Sequence, residues 1–79
     1  MDWKYLTTVA DGCELEINGI NVWSQEWIRT KADPIEVLHP NYPDQKHKVY
    51  SYIVEIGTKK ISFAAGELSN CVWCFYVPS

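Results

Sequence analysis

The chain has 79 residues, 47% of them apolar or aromatic, and a formal net charge of −3 at pH 7. This length allows one domain with a small core, and the apolar content is too high for a disordered tail. The acidic excess makes binding to phosphate groups unfavourable, and the longest uncharged stretch, 68–79, is too short to span a membrane as a helix. We therefore predict a single domain over 1–79 with neither a nucleic-acid partner nor a membrane partner.

The cysteine content and the first residues indicate a compartment. Cys13, Cys71 and Cys74 are an odd number, which argues against a closed disulfide framework. The residues after Met1 are charged and aromatic rather than an apolar run, so no secretory signal is expected. We predict a cytoplasmic protein with reduced thiols.

Two glycine dipeptides predict a first antiparallel meander over 5–22. Asp11-Gly12 and Asn18-Gly19 favour two-residue type I′ turns, which need positive φ at both central residues. Such turns set Ala10 against Cys13 and Ile17 against Ile20, and both turns place apolar residues on the same face. The predicted inward face consists of Leu6, Thr8, Ala10, Cys13, Leu15, Ile17, Ile20 and Val22.

A second meander is predicted over 47–77. Gly57-Thr58 fits a type II′ turn, which sets Glu55 against Lys60 and Tyr52 against Phe63. A longer loop over 66–70 then leads into a final strand over 71–77, with Ala65 opposite Cys71. The predicted inward face consists of Tyr50, Tyr52, Val54, Ile56, Ile61, Phe63, Trp73 and Phe75.

The middle of the chain, 24–46, has the weakest pattern. The four-residue spacing of Trp23 and Trp27 favours a helix, with a strand over 26–30 as the alternative. Asp33-Pro34 followed by Glu36 is typical of a helix start. We predict an all-β, or β-dominated α+β, fold. Two antiparallel meanders pack as a small sandwich or half-open barrel, with at most one short helix in 24–39.

One candidate binding site lies on the polar face of the first meander. Glu14 and Glu16 point the same way in the predicted register, with Trp23 across from Glu14 and Tyr5 diagonal to Glu16. Carboxylates attract a cation and aromatic rings accept it, so this face fits an inhibitor- or immunity-type protein that binds a basic protein partner. The alternative is a solvated face that keeps a small sheet soluble.

The final strand suggests self-association. It carries no charge on either side, and a strand that is apolar on both faces is usually covered on both faces. The cover could be the middle of the chain or a second copy. Our first functional prediction is therefore a non-catalytic binding or assembly domain that forms a homo-oligomer through Val72, Cys74 and Tyr76.

Catalytic and metal-binding patterns are weak. Cys71 and Cys74, three residues apart on a strand, point to opposite faces, which is unsuited to a redox pair or a zinc site. A small enzyme or ligand carrier, with a pocket where His39, Tyr42 and His47 converge, remains as a further alternative. Otherwise we predict no catalytic residue, no metal and no cofactor.

Overall fold

A computed structural model describes residues 3–79, except for the side chains of 42–45. Over that part of the chain it has eight strands and one 3-10 turn, Val22–Ser24. The all-β, antiparallel fold class predicted from the sequence is confirmed. The strands are β1 Trp3–Ala10, β2 Glu16–Ile17, β3 Ile20–Asn21, β4 Ile28–Arg29, β5 Ile35–His39, β6 Tyr42–Ile56, β7 Lys59–Ser69 and β8 Val72–Pro78.

The main sheet has the strand order β1-β8-β7-β6-β4, with every pair antiparallel. Strand β5 pairs with the first half of β6, and β2 and β3 form a separate hairpin. The first and last strands of the chain are therefore neighbours, and β1 forms one edge of the sheet.

Strand β6 belongs both to the sheet and to a second layer. Residues 50–56 pair with β7, whereas the residues before them pair with β5. We call β5 together with 42–49 the arm. A Cβ added at Gly66 of β7 would overlap the carbonyl oxygen of Lys48, so only glycine allows the arm to cross the sheet at this point.

Each face of the sheet has its own core. The face covered by the β2–β3 hairpin, which we call the tryptophan face, buries Ile17, Ile20, Val22, Val54, Ile61, Phe63, Ala65 and Phe75. The face covered by the arm, which we call the histidine face, buries Val49, Ala64, Cys74 and Tyr76, with Ile35 and Val37 of the arm packed against them. The final strand is thus covered on both faces by its own chain.

Only one of the two hairpins predicted for the first meander forms. Asn18 and Gly19 have φ of 52° and 80°, and Ile17 lies opposite Ile20, as predicted. At Asp11-Gly12 a turn forms, with the N–H of Cys13 donating to the carbonyl oxygen of Ala10 at 3.0 Å, but the predicted hairpin does not. Only Gly12 has positive φ there, and turns other than the primed types splay the flanking strands. Strand β1 pairs with β8 instead, and Leu6, predicted to face inward, lies 40% exposed beside a bulge.

The second meander follows the prediction more closely. Glu55 pairs with Lys60, and Tyr52 with Phe63, as the Gly57-Thr58 turn indicated. The predicted loop over 66–70 was wrong, because β7 continues to Ser69 and Ala65 lies opposite Phe75 rather than Cys71. The shift is four residues, an even number, so each side chain keeps its predicted face.

The helix start predicted at Asp33-Pro34 was also wrong. No helix forms over 24–39 apart from the last residue of the 3-10 turn, and all of these residues are described. Ile35, Val37 and His39 are at least partly buried, whereas Glu36 and Leu38 between them are exposed. This period of two fits a strand paired with β6, and the pairing outweighs the local helix signal. The alternative strand within 26–30 corresponds to β4.

Candidate functional site

Three tryptophans from two distant parts of the chain converge on the tryptophan face. The ring centroids of Trp23 and Trp27 lie 5.1 Å apart, and each lies 6.0 Å from the ring of Trp73. Trp23 belongs to the 3-10 turn, Trp27 precedes β4 and Trp73 lies in β8. All three are only partly buried, so part of each indole remains accessible.

Local hydrogen bonds fix these rings. The side chain of Asn21 accepts a hydrogen bond from the backbone N–H of Trp23 at 3.1 Å and so caps the 3-10 turn. The indole N–H of Trp27 donates to the carbonyl oxygen of Val22 at 2.7 Å. Beneath the indoles, Phe75 is fully buried and contacts both Trp23 and Trp27 edge to face. The cluster is therefore held from the turn above and the sheet below.

Two of the three indoles have an unsatisfied donor. The Nε1 atoms of Trp23 and Trp73 are buried and find no hydrogen-bond partner among the described residues. An unpaired buried donor costs about 1–3 kcal/mol relative to a paired one. Local departures from polar satisfaction of this kind are typical of functional sites.

One carboxylate is paired directly with a residue of the cluster. Glu67 of β7 lies directly opposite Trp73 of β8, so the two side chains share one face. Its Oε2 atom accepts a hydrogen bond from the N–H of Cys71 at 3.4 Å. Three further carboxylates are exposed: Glu14 precedes the hairpin, Glu16 begins β2, and Glu26 is the residue before Trp27. We define the acidic tryptophan surface as Trp23, Trp27, Trp73, Glu14, Glu16, Glu26 and Glu67.

Of the four binding residues predicted from the sequence, Glu14 and Glu16 are exposed and Trp23 is partly exposed, so their role in binding stays a prediction. Tyr5 is placed elsewhere. It pairs with Tyr76 of β8 and packs in the core of the histidine face. Its predicted place beside Glu16 depended on a β1–β2 pairing that does not form.

Four residues of the acidic tryptophan surface were not predicted as binding residues. Glu26 and Trp27 belonged to a segment predicted as helix or strand, Trp73 was predicted to be ordinary core, and Glu67 was placed in a loop. Glu67 and Trp73 lie opposite each other because of the observed β7–β8 register. The Asn70-Cys71 turn sets this register, and it contains no glycine from which a turn could have been predicted.

The residues predicted to mediate self-association lie in and beside the histidine-face core. Cys74 is fully buried and Tyr76 is 4% exposed, while Val72 is partly exposed. The arm and β1 provide the cover that a second copy was predicted to give. Cys74 and Tyr76 therefore present almost no surface to another chain, and self-association itself stays a prediction.

His39 is 2% exposed beneath this face and takes part in a polar cluster. Its Nδ1 atom accepts a hydrogen bond from the backbone N–H of Asn41 at 3.0 Å, so Nδ1 carries no proton. The proton of the neutral ring is therefore on Nε2, which donates to Thr8 Oγ1 at 2.8 Å. Thr8 Oγ1 lies 2.6 Å from the hydroxyl of Tyr5. These bonds join the edge strand β1 to the arm.

His47 lies beside this cluster, with its ring centroid 6.3 Å from that of His39. Burial lowers the pKa of His47 below its usual value, with a smaller electrostatic contribution from the neighbouring His39. Neither ring nitrogen of His47 has a partner among the described residues. Burial raises the pKa of the neighbouring Tyr76 to about 12, with smaller effects from Cys74 and Tyr5.

The structure thus brings together two members of the predicted pocket, His39 and His47, whereas the side chain of Tyr42 lies outside the described residues. A general base must present an unprotonated nitrogen to its nucleophile. His39 presents an N–H to Thr8, so the two are not a nucleophile–base pair. Burial also raises the pKa of the Cys74 thiol, which disfavours a reactive thiolate. Within the described part of the chain, no three or more His, Cys, Asp or Glu side chains are placed to hold a metal ion.

A groove of about 480 Å³ opens beside the tip of the hairpin, and Glu16 of the acidic tryptophan surface is part of its lining. Its walls carry charges of both signs, since Lys60 also lines it and lies 3.8 Å from Glu55. Such walls favour no single charge in a ligand. The lining residues are Leu6, Glu16, Ile17, Asn18, Lys60, Ile61, Ser62, Val77 and Pro78.

Comparisons with protein families, with curated proteins and with solved structures find no match to this chain. Among the described residues, no helix has the length and apolar character needed to cross a bilayer. The functional argument therefore depends on the geometry of the surfaces.

Proposed function

We propose that this chain is a non-catalytic binding domain that recognises a basic protein partner through the acidic tryptophan surface. The observation that carries this proposal is the convergence of three partly exposed indoles, with the carboxylate of Glu67 directly opposite one of them. Tryptophan is enriched among the residues that dominate binding energy in protein interfaces. Carboxylates beside it add attraction to cations and select the partner's charge.

The distribution of charge supports the same partner. Residues 1–28 contain five acidic residues and a single lysine, and the hairpin that covers the tryptophan face comes from this segment. Two cations lie near these residues: Lys60 lines a groove together with Glu16, and the guanidinium of Arg29 lies 4.1 Å from the centre of the Tyr50 ring. The four carboxylates of the surface outnumber them, and binding should weaken as salt screens the exposed charges.

Selection from a random peptide library displayed on phage tests the proposal. The enriched peptides should carry a net positive charge. Calorimetry with one enriched peptide should show about a 10-fold loss of affinity in the double variant Glu14→Lys/Glu16→Lys, because two attractions become repulsions. Both substitutions are at exposed positions, so the fold should be retained.

A matched control is available on the arm. Asp33→Lys/Glu36→Lys changes the net charge by the same amount at exposed positions that lie on the other side of the sheet. We expect its affinity to stay within about 2-fold of the parent. Equal losses in the two variants would show that only net charge matters, and enrichment of neutral or acidic peptides would contradict the proposal.

A second candidate function is self-association, as the uncharged final strand suggested. The observation that favours it is the number of exposed aliphatic side chains on a small protein, Leu6, Ile28 and Leu38, which are 40%, 48% and 52% exposed. In this proposal the chain forms a homo-oligomer in the cytoplasm. Sedimentation equilibrium at micromolar concentration tests it, and a strict monomer would remove it.

A further inference from the structure

We infer that the Glu67–Trp73 pair is an arginine-binding site, in which the guanidinium of a partner stacks on the indole and donates hydrogen bonds to the carboxylate. This inference rests on the proposed function and specifies the group that the acidic tryptophan surface recognises. It distinguishes arginine from lysine, which the proposed function does not.

The geometry of a directly opposed strand pair places the two groups together. Glu67 and Trp73 face each other across β7 and β8, and side chains in such pairs have Cβ atoms about 4.5–5.5 Å apart. The two side chains therefore leave the sheet next to each other on the same face. A flat cation stacked on the indole can then reach the carboxylate without moving either strand.

The carboxylate is oriented but not neutralised. One oxygen of Glu67 accepts the long hydrogen bond from Cys71 N–H, which restrains the side chain at the β7–β8 turn. Among the described residues, no cation lies within ion-pairing distance of Glu67, whereas Glu55 further along the sheet has Lys60 at 3.8 Å. The negative charge beside Trp73 is therefore available to a partner.

Arginine suits this pair better than lysine does. A guanidinium is planar and stacks on an aromatic ring, and its edge can donate two hydrogen bonds to one carboxylate at the same time. The lysine ammonium is a compact, strongly hydrated charge that cannot make both contacts in this way.

The chain already uses this type of contact on the same face. Arg29 of β4 stacks on Tyr50 of β6, and Tyr50 shares its face with Ala65 and Phe75 of the tryptophan-face core. Tryptophan binds a stacked cation more strongly than tyrosine does. The Trp73 indole has the additional advantage of the carboxylate beside it.

Two synthetic peptides of equal length test the inference, one with three arginines and one with three lysines at the same positions in a glycine–serine sequence. Titrations followed by the indole ¹H–¹⁵N signals report on each tryptophan, with Trp73 assigned through Trp73→Phe. We expect the arginine peptide to shift the Trp73 signal and to bind about 5-fold more tightly than the lysine peptide.

Glu67→Gln removes the charge but keeps an oxygen that can accept the hydrogen bond of Cys71. We expect it to abolish the preference for arginine, whereas Glu36→Gln, an equivalent change on the arm, should preserve it. Equal affinities for the two peptides in the parent, or an unchanged preference in Glu67→Gln, would overturn the arginine site and leave the proposed basic partner standing. Failure of both peptides to shift any indole signal would overturn both.

Discussion

The two faces of the sheet are packed by different kinds of interaction. The tryptophan face is filled by aromatic rings in tilted and edge-to-face contacts, among them Trp27 with Phe63 at 5.0 Å. The histidine face is organised around hydrogen bonds that link Thr8 to Tyr5 and His39. Apolar packing is non-directional and tolerates small adjustments, whereas a buried polar cluster is stable only with its partners in place. We therefore expect the two faces to respond differently to substitution and to pH.

The largest expected effect is on the tryptophan face. Trp27 contacts five other aromatic rings, so Trp27→Ala should lower the free energy of unfolding by about 3 kcal/mol. Trp27→Phe keeps a ring but loses the hydrogen bond to Val22, and should lose about 1 kcal/mol. Urea denaturation measures both variants. Equal losses would mean that the hydrogen bond, rather than ring packing, holds this face together.

A smaller loss is expected where the arm crosses the sheet. Gly66→Ala places a methyl group against the Lys48 carbonyl oxygen and should lower the free energy of unfolding by about 2 kcal/mol. Gly57→Ala is the control, because its Cβ meets open space and only its φ of 58° is unfavourable, at about 1 kcal/mol. Urea denaturation again compares the two variants. A smaller loss in the free energy of unfolding for Gly66→Ala than for Gly57→Ala would contradict the close crossing of β6 over β7.

The smallest expected effect is a dependence on pH that belongs to the histidine face. The pKa of His47 is lowered from 6.5 in the folded chain, so the unfolded chain takes up this proton first as the pH falls. The free energy of unfolding should then decrease below pH 6.5, by at most about 1.4 kcal/mol per pH unit from this group. Urea denaturation at about pH 7, 6 and 5 should show a shallower decrease for His47→Phe. Parallel pH profiles of variant and parent would contradict a role for His47.

Local turn chemistry was the most reliable guide from sequence to structure. Gly57-Thr58 set the register of β6 and β7, and Asn18-Gly19 set that of β2 and β3. Because side chains alternate along a strand, even the four-residue error between β7 and β8 left the two faces correctly assigned. The residues that β6, β7 and β8 contribute to the tryptophan-face core were therefore largely predictable, whereas Cys74 and Tyr76 of the other core were expected on a self-association surface.

The contacts between distant segments were not predictable in the same way. Strand β1 has no local signal that selects β8 over β2, and this single error moved Tyr5 to the opposite face of the sheet. Gly66 was interpreted as a loop residue, although its role is to leave space for the backbone of β6 at Lys48. The candidate site was only partly predictable for the same reason, since Trp73 and Glu67 meet only through the true β7–β8 register.

The pairing of β1 with β8 has a consequence for how the protein is made. Tyr5 is synthesised long before Tyr76, its partner in the sheet, so the first strand leaves the ribosome with no edge to join. The hairpins β2–β3 and β6–β7 need only local contacts and can form earlier. We expect the nascent chain to keep its first strand unpaired until β8 emerges, which makes the closing of this edge the last step of assembly.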